Sequence, residues 1–186
     1  VHKDPMVKGR LHSDLKIGGR DRDIEIAGNA RIEKAEIYKI PFDSASIAFL
    51  YANKELSFKK VLIRWGTSVL TVEGKFSSDE KFSYRATSEK ILIKDIGLER
   101  LPVDALLSIQ SEGHGTFKDP NIILNAKVGR GTFKGRFIGS SSIDASIKNR
   151  EILLHASFFD NKVKLSGKGS LDDTFPWNAE VDIAIL

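Results

Sequence analysis

The sequence predicts an all-β protein. Apolar residues recur at every second position through most of the chain, short polar pairs such as Asn53-Lys54 and Asn149-Arg150 separate the alternating runs, and the chain repeats itself after about 96 residues.

The elements follow in order. The stretch "VKGRLHSDLKIGGRDRD" reads as a hairpin, with "IGGRDRD" as its tip rather than a phosphate loop, because no strand and helix frame its glycines. Ile24, Ile26, Gly28, Ala30 and Ile32 then share one face of a strand, and Ile47, Phe49 and Tyr51 one face of the next. Past Asn53-Lys54, Leu56 and Phe58 continue the alternation until Lys59-Lys60 breaks its phase, which predicts a β-bulge before Val61, Ile63 and Trp65. Gly66-Thr67-Ser68 turns the chain into Leu70, Val72, Gly74 and Phe76, and Phe82, Tyr84 and Ala86 mark a further strand. In "LPVDALLS", Pro102 suits a first helical position and Val103, Leu106 and Leu107 fall at i, i+3 and i+4, so one short helix is expected near 102–108. Three strands close the chain: Ile143, Ala145 and Ile147; Ile152, Leu154, Ala156 and Phe158; then Val163, Leu165, Gly167 and Gly169. Their short connections predict an antiparallel meander.

Displacing the sequence by 96 positions aligns Ala30–Leu62 with Ala126–Phe158 without a gap, and brings Ser44, Ser46, Ile47, Asn53 and Glu55 onto Ser140, Ser142, Ile143, Asn149 and Glu151. Two units are expected, 1–100 and 101–186, as parts of one continuous domain. Lys-Asp-Pro, at 3–5 and again at 118–120, reads as the punctuation that opens each unit, with the leading hairpin extra to the first. Strands that all keep one apolar face must bury it against another sheet, against themselves or against a non-protein apolar ligand. Periodicity leaves the three open. Length alone predicts that folding removes about two thirds of the unfolded chain's surface.

Composition narrows the chemistry. A net charge of +4 comes from scattered residues, and basic residues do not cluster with aromatics, so no nucleic-acid partner is expected. The absence of cysteine excludes disulfides, thiolate nucleophiles and Cys-type zinc sites. His2, His12, His114 and His155 have no ligand spacing, no Gly-x-Ser-x-Gly elbow is present, and the carboxylates lie in turns or on outward positions, so neither a metal, a cofactor nor an enzymatic reaction is expected. Trp65 and Trp177, near strand ends, read as rim packing. No apolar run reaches the roughly 18 residues that span a bilayer. The chain opens on Val1 and reads as an excised piece whose anchor or targeting signal would lie outside it.

The run from Leu101 to Ile183 carries Leu-Pro-x-x-x-Leu-Leu, then Gly-x-Gly-Thr-Phe-x-x-Pro at 113–120, a Gly-x-x-x-Gly stretch at Gly135 to Gly139, and Ser-Gly-Lys-Gly-Ser-Leu-Asp at 166–172. In that order it resembles the repeating segments of the TamB/AsmA-like family of envelope proteins. The resemblance implies elongated, curled antiparallel sheets, a taco-like groove with a hydrophobic interior, in the periplasm of a Gram-negative bacterium, anchored in the inner membrane. It further implies phospholipid movement between inner and outer membranes, with outer-membrane biogenesis as the setting. TamB-type members are linked to an outer-membrane barrel-assembly protein, a partner that regions outside these residues would engage. Under this reading phospholipid acyl chains would lie on Ile47, Phe49, Phe58, Ile63, Leu70 and Val72 in the first unit. In the second they would lie on Ile143, Ile147, Ile152, Leu154, Phe158, Val163 and Leu165. The alternative is a structural β-sandwich scaffold that recruits assembly partners by strand addition.

Overall fold

The computed structural model describes residues 7–20, 23–37, 40–96, 102–172 and 176–183; Lys3-Asp4-Pro5, His2 and Leu101 lie outside them. The all-β expectation holds. Among the described residues fifteen strands run in chain order: β1 (Val7–Arg20), β2 (Asp23–Ile37), β3 (Ile40–Ala52), β4 (Glu55–Trp65), β5 (Ser68–Ser77), β6 (Lys81–Leu92), β7 (Val103–Asp104), β8 (Leu106–Thr116), β9 (Pro120–Val128), β10 (Gly131–Phe133), β11 (Arg136–Ile138), β12 (Ser141–Lys148), β13 (Glu151–Phe158), β14 (Val163–Ser170) and β15 (Trp177–Ile183). Twelve form one antiparallel sheet in the order β1-β2-β3-β4-β5-β6-β8-β9-β12-β13-β14-β15; β11, β10 and β7 form a small second sheet.

Local chemistry accounts for the meander. Asn53-Lys54 and Asn149-Arg150 hold positive φ at both positions, 51° and 62°, then 50° and 63°, which is the geometry of a two-residue hairpin whose twist matches its strands. The bulge at Lys59-Lys60 is present: Phe58 faces Phe49 and Gly74, Val61 faces Ile47 and Val72, and the extra lysine keeps the apolar set on one face.

Two expectations about local structure need correcting. The one short helix expected is present among the described residues as a 3-10 turn at Ile93–Ile96, and only its position differs, upstream of 102–108. Val103, Leu106 and Leu107 are extended instead, because Leu106 and Leu107 pair with Leu92 and Ile91, and the Ala105 carbonyl accepts the Ile93 N–H at 3.2 Å. A helix this short is marginal alone, and an adjacent unsatisfied strand offers a full ladder.

The repeat also reaches further back than Ala30. β1 lies 96 positions before β8, and the next-to-last residue of each is a glycine of positive φ, Gly19 at 106° and Gly115 at 118°, packed against the carbonyl of Asp23 and Asp119, respectively. The leading hairpin is therefore no addition to the first unit. β1 to β6 correspond to β8, β9 and β12 to β15, six strands each, and Lys118-Asp119-Pro120 leads from the hairpin tip into β9. β6 pairs with β8 from Lys81↔Thr116 to Leu92↔Leu106, joining the two six-strand sets in one ladder.

The core is small. Ala35, Phe42, Ile91, Ile93, Ala105 and Ala156 are the buried apolar residues. The first five lie at one end of the strands, where the 3-10 turn touches β3, β6 and β7. Ser68, 1% exposed, ties that end together: its hydroxyl donates to Asp95 Oδ2 at 2.8 Å and accepts the Leu92 N–H at 2.8 Å. Elsewhere substantial contacts run only between ladder neighbours. The accessible surface is 13714 Å², where a compact chain of 20.7 kDa would expose about 8,900 Å². Folding thus removes about half of the unfolded surface rather than two thirds. The sheet is open, not strongly curled, and the described elements outside it are the 3-10 turn and three strands of two or three residues. Among the described residues there is no second layer of the size a sandwich needs.

Candidate functional site

Antiparallel partners directly opposite each other point to the same side of a sheet, so the pairings trace its two faces. One row runs Leu15, Gly28, Phe49, Phe58, Gly74, Tyr84, Gly113, Ile122, Ile147, Ile152, Gly169, Trp177 across all twelve strands. A parallel row joins Ile47, Val61, Val72, Ala86, Ser111, Leu124, Ala145, Leu154 and Gly167. Ile63 and Leu70 face each other one step along, as do Ile143, Ala156 and Leu165, and Phe158 faces Val163. All thirteen residues singled out from the sequence therefore stand on one face. Each is half-buried.

Each aromatic residue of the first row has a glycine beside it for a steric reason. A Cβ at Gly113 would lie 2.5 Å from Tyr84 Cε1, one at Gly169 would lie 2.5 Å from Trp177 Cε3, and one at Gly28 would lie 3.3 Å from Phe49 Cζ. At Gly74 it would stand 3.1 Å from Phe58 Cε2. Each ring lies down over the bare backbone beside it, so large aromatics add apolar area without raising ridges across the strands. Trp177 is thus seated on Gly167 and Gly169, whereas Trp65 is the rim residue expected, its Nε1 donating to the Pro41 carbonyl at 2.8 Å. Phe76, Phe82 and Phe117 gather at the hairpin-tip end, with Phe117 centroids 5.6 and 5.5 Å from the other two.

The other face is solvated. His12, His114 and His155 stand on it, with the ion pairs Arg85–Glu112 at 3.5 Å and Lys168–Glu151 at 3.3 Å. Exposed pairs of this kind are worth about 0–1 kcal/mol each, and their role is to keep the face wet. No cluster of His, Asp or Glu suited to a metal occurs among the described residues. Shifted carboxylates lie in turns, away from the apolar rows. Hydrogen bonds from Lys81 and Ser77 hold Asp79 down to about 2, and the Ser140 hydroxyl and N–H lower Asp160. Both are held by structural partners, Asp79 by Lys81 and Ser77 and Asp160 by Ser140.

The sequence reading passed over Leu15, Ile109, Ile122, Leu124 and Val181, which belong to the same face. In "NIILNA" Ile123 points to the polar side, and this one residue hides the alternation. The repeat would have recovered it, since Ile122 stands 96 positions after Ile26. No family model, curated protein or solved structure matches this chain.

Proposed function

We propose that the chain shields phospholipid acyl chains on the apolar face of its sheet, as the periplasmic part of an inner-membrane-anchored carrier that moves lipid towards the outer membrane. One observation carries the reading: a continuous apolar surface twelve strands wide, over which the described residues place no second sheet of comparable size. At about 4.8 Å per strand this surface is about 50 Å across, too large to leave facing water without an occupant. Acyl chains suit it because the rows contain aliphatic side chains, glycine and aromatic rings with few polar atoms. A tail would be held without directional bonds and would slide from row to row. The resemblance to the TamB/AsmA-like family supplies the compartment, the anchor and the outer-membrane partner. Curling of the sheet around a bound tail belongs to the same proposal.

Mass spectrometry of organic extracts tests it, comparing the native chain with the fourfold variant Phe49→Thr, Ile63→Thr, Ile147→Thr and Leu154→Thr. Phospholipid retained by the native chain and lost from a variant whose β-sheet circular dichroism is unchanged is the expected result. Native protein that is free of lipid and takes up none from added vesicles would sink the reading.

A further inference from the structure

Among the described residues, β1 and β15 are the two edges of the large sheet, each paired on one side only. β15 is exposed along its whole length and carries none of the Lys, Arg or Pro residues that commonly protect an edge strand. On the apolar face, Leu15 and Ile17 on β1 are 54% and 74% exposed, and Trp177 and Val181 on β15 are 48% and 59% exposed.

The repeat says what these edges fit. β15 is the second unit's counterpart of β6, and β1 is the first unit's counterpart of β8. Since β6 and β8 are paired inside the molecule, the free edges are the two halves of a junction the sheet already contains. We infer that the chain associates head to tail with further copies of itself, β15 of one copy pairing with β1 of the next in the register of β6 with β8.

That register is specific. Gly115 corresponds to Gly19 by conformation and spacing, and Phe82 corresponds to Trp177 by its place in the ladder, Leu56–Phe76–Phe82 matching Ile152–Gly169–Trp177. Phe82 faces Gly115, so Trp177 would face Gly19 of the next copy. Ala179 would then face Ile17 and Val181 would face Leu15, closing the apolar row between copies. Arg85 faces Glu112 at the internal junction and pairs with it at 3.5 Å. Between copies the same position brings Glu180 against Lys16, an ion pair of reversed polarity. Asp182 meets Asp14, with Lys16 and His12 diagonally beside it. An edge that is acidic on β15 and mainly basic on β1 favours this pairing over β15 with β15 or β1 with β1. Each copy uses a different edge on each side, so the contact is heterologous and the series open-ended.

Sedimentation over a wide concentration range should show mass rising through dimer and trimer without stopping at two. Lys16→Glu alone and Glu180→Lys alone should each weaken association about fivefold, the effect of one cross-strand charge pair, while an equimolar mixture of the two restores it. The chain has no cysteine, so Ile17→Cys and Ala179→Cys report the register directly. Mixed under mild oxidation they should form a disulfide-linked pair, and neither variant alone should form a disulfide. A monomer at every concentration, association indifferent to both charge changes, or a disulfide formed by either cysteine variant alone would overturn the inference.

Discussion

The dependence of binding on acyl length is the sharpest consequence of an open face. A methylene moved fully out of water contributes about 0.8 kcal/mol. A tail lying on a single sheet loses water from one side only, so about 0.4 kcal/mol per methylene is expected here. Two added carbons then contribute about 0.8 kcal/mol, roughly a fourfold gain in affinity. If the sheet wraps the tail completely, the same two carbons contribute about 1.6 kcal/mol, roughly fifteenfold. Calorimetric titration with monomeric lysophospholipids of increasing tail length gives the slope directly. A gain near fourfold per two carbons matches the open face, and one near fifteenfold shows that the sheet curls around its ligand. Affinity that does not change with tail length would refute burial of the chain on this surface.

Three further outcomes follow from particular contacts. Gly113→Ala should destabilise by about 1–3 kcal/mol, because its methyl would displace the Tyr84 ring and the 3.0 Å contact between the Tyr84 and Ser111 hydroxyls; Gly18→Ala, with nothing within 4 Å, should be neutral or gain a few tenths, and urea denaturation separates the two. Ser68→Ala leaves the Leu92 N–H and Asp95 without their partner and should cost about 1–3 kcal/mol, read as a fall in melting temperature of about 2–4 °C per kcal/mol. Asp79 is held at about 2 against an ordinary 3.8, so its ionised contacts favour the folded chain above the ordinary value and are lost as pH falls through about 2. Lys81→Ala should return the Asp79 titration, followed by carboxyl NMR, most of the way to 3.8.

Alternation made most of the sheet legible, since period two survives wherever a strand has one apolar face. The thirteen residues from Ile47 to Leu165 share a side because the hairpin turns at Asn53-Lys54 and Asn149-Arg150 fix the register that the side chains require. The Lys59-Lys60 bulge was legible for the same reason: only an extra residue keeps Phe58 and Val61 together. What escaped was long-range. Nothing local in "LPVDALLS" reveals that Leu92 and Ile91 offer a ladder partner, and helical spacing in three residues is too little to outweigh one. The equivalence of β1 with β8 escaped because Leu15 and Ile17 bear little likeness to Ser111 and Gly113. It rests on a backbone feature, the left-handed turns at Gly19 and Gly115, which composition does not record.

Contacts that run only along the ladder have a consequence for how the molecule comes apart. Away from the small core around the 3-10 turn, each strand is held by the two beside it, and stability there is a chain of nearest-neighbour terms rather than one cooperative sum. Amide exchange should be fastest at β1 and β15 and slowest near the β6–β8 junction, falling step by step from either side. Folding would start at any tight hairpin and spread sideways, so an added repeat would lengthen the sheet without a new nucleus.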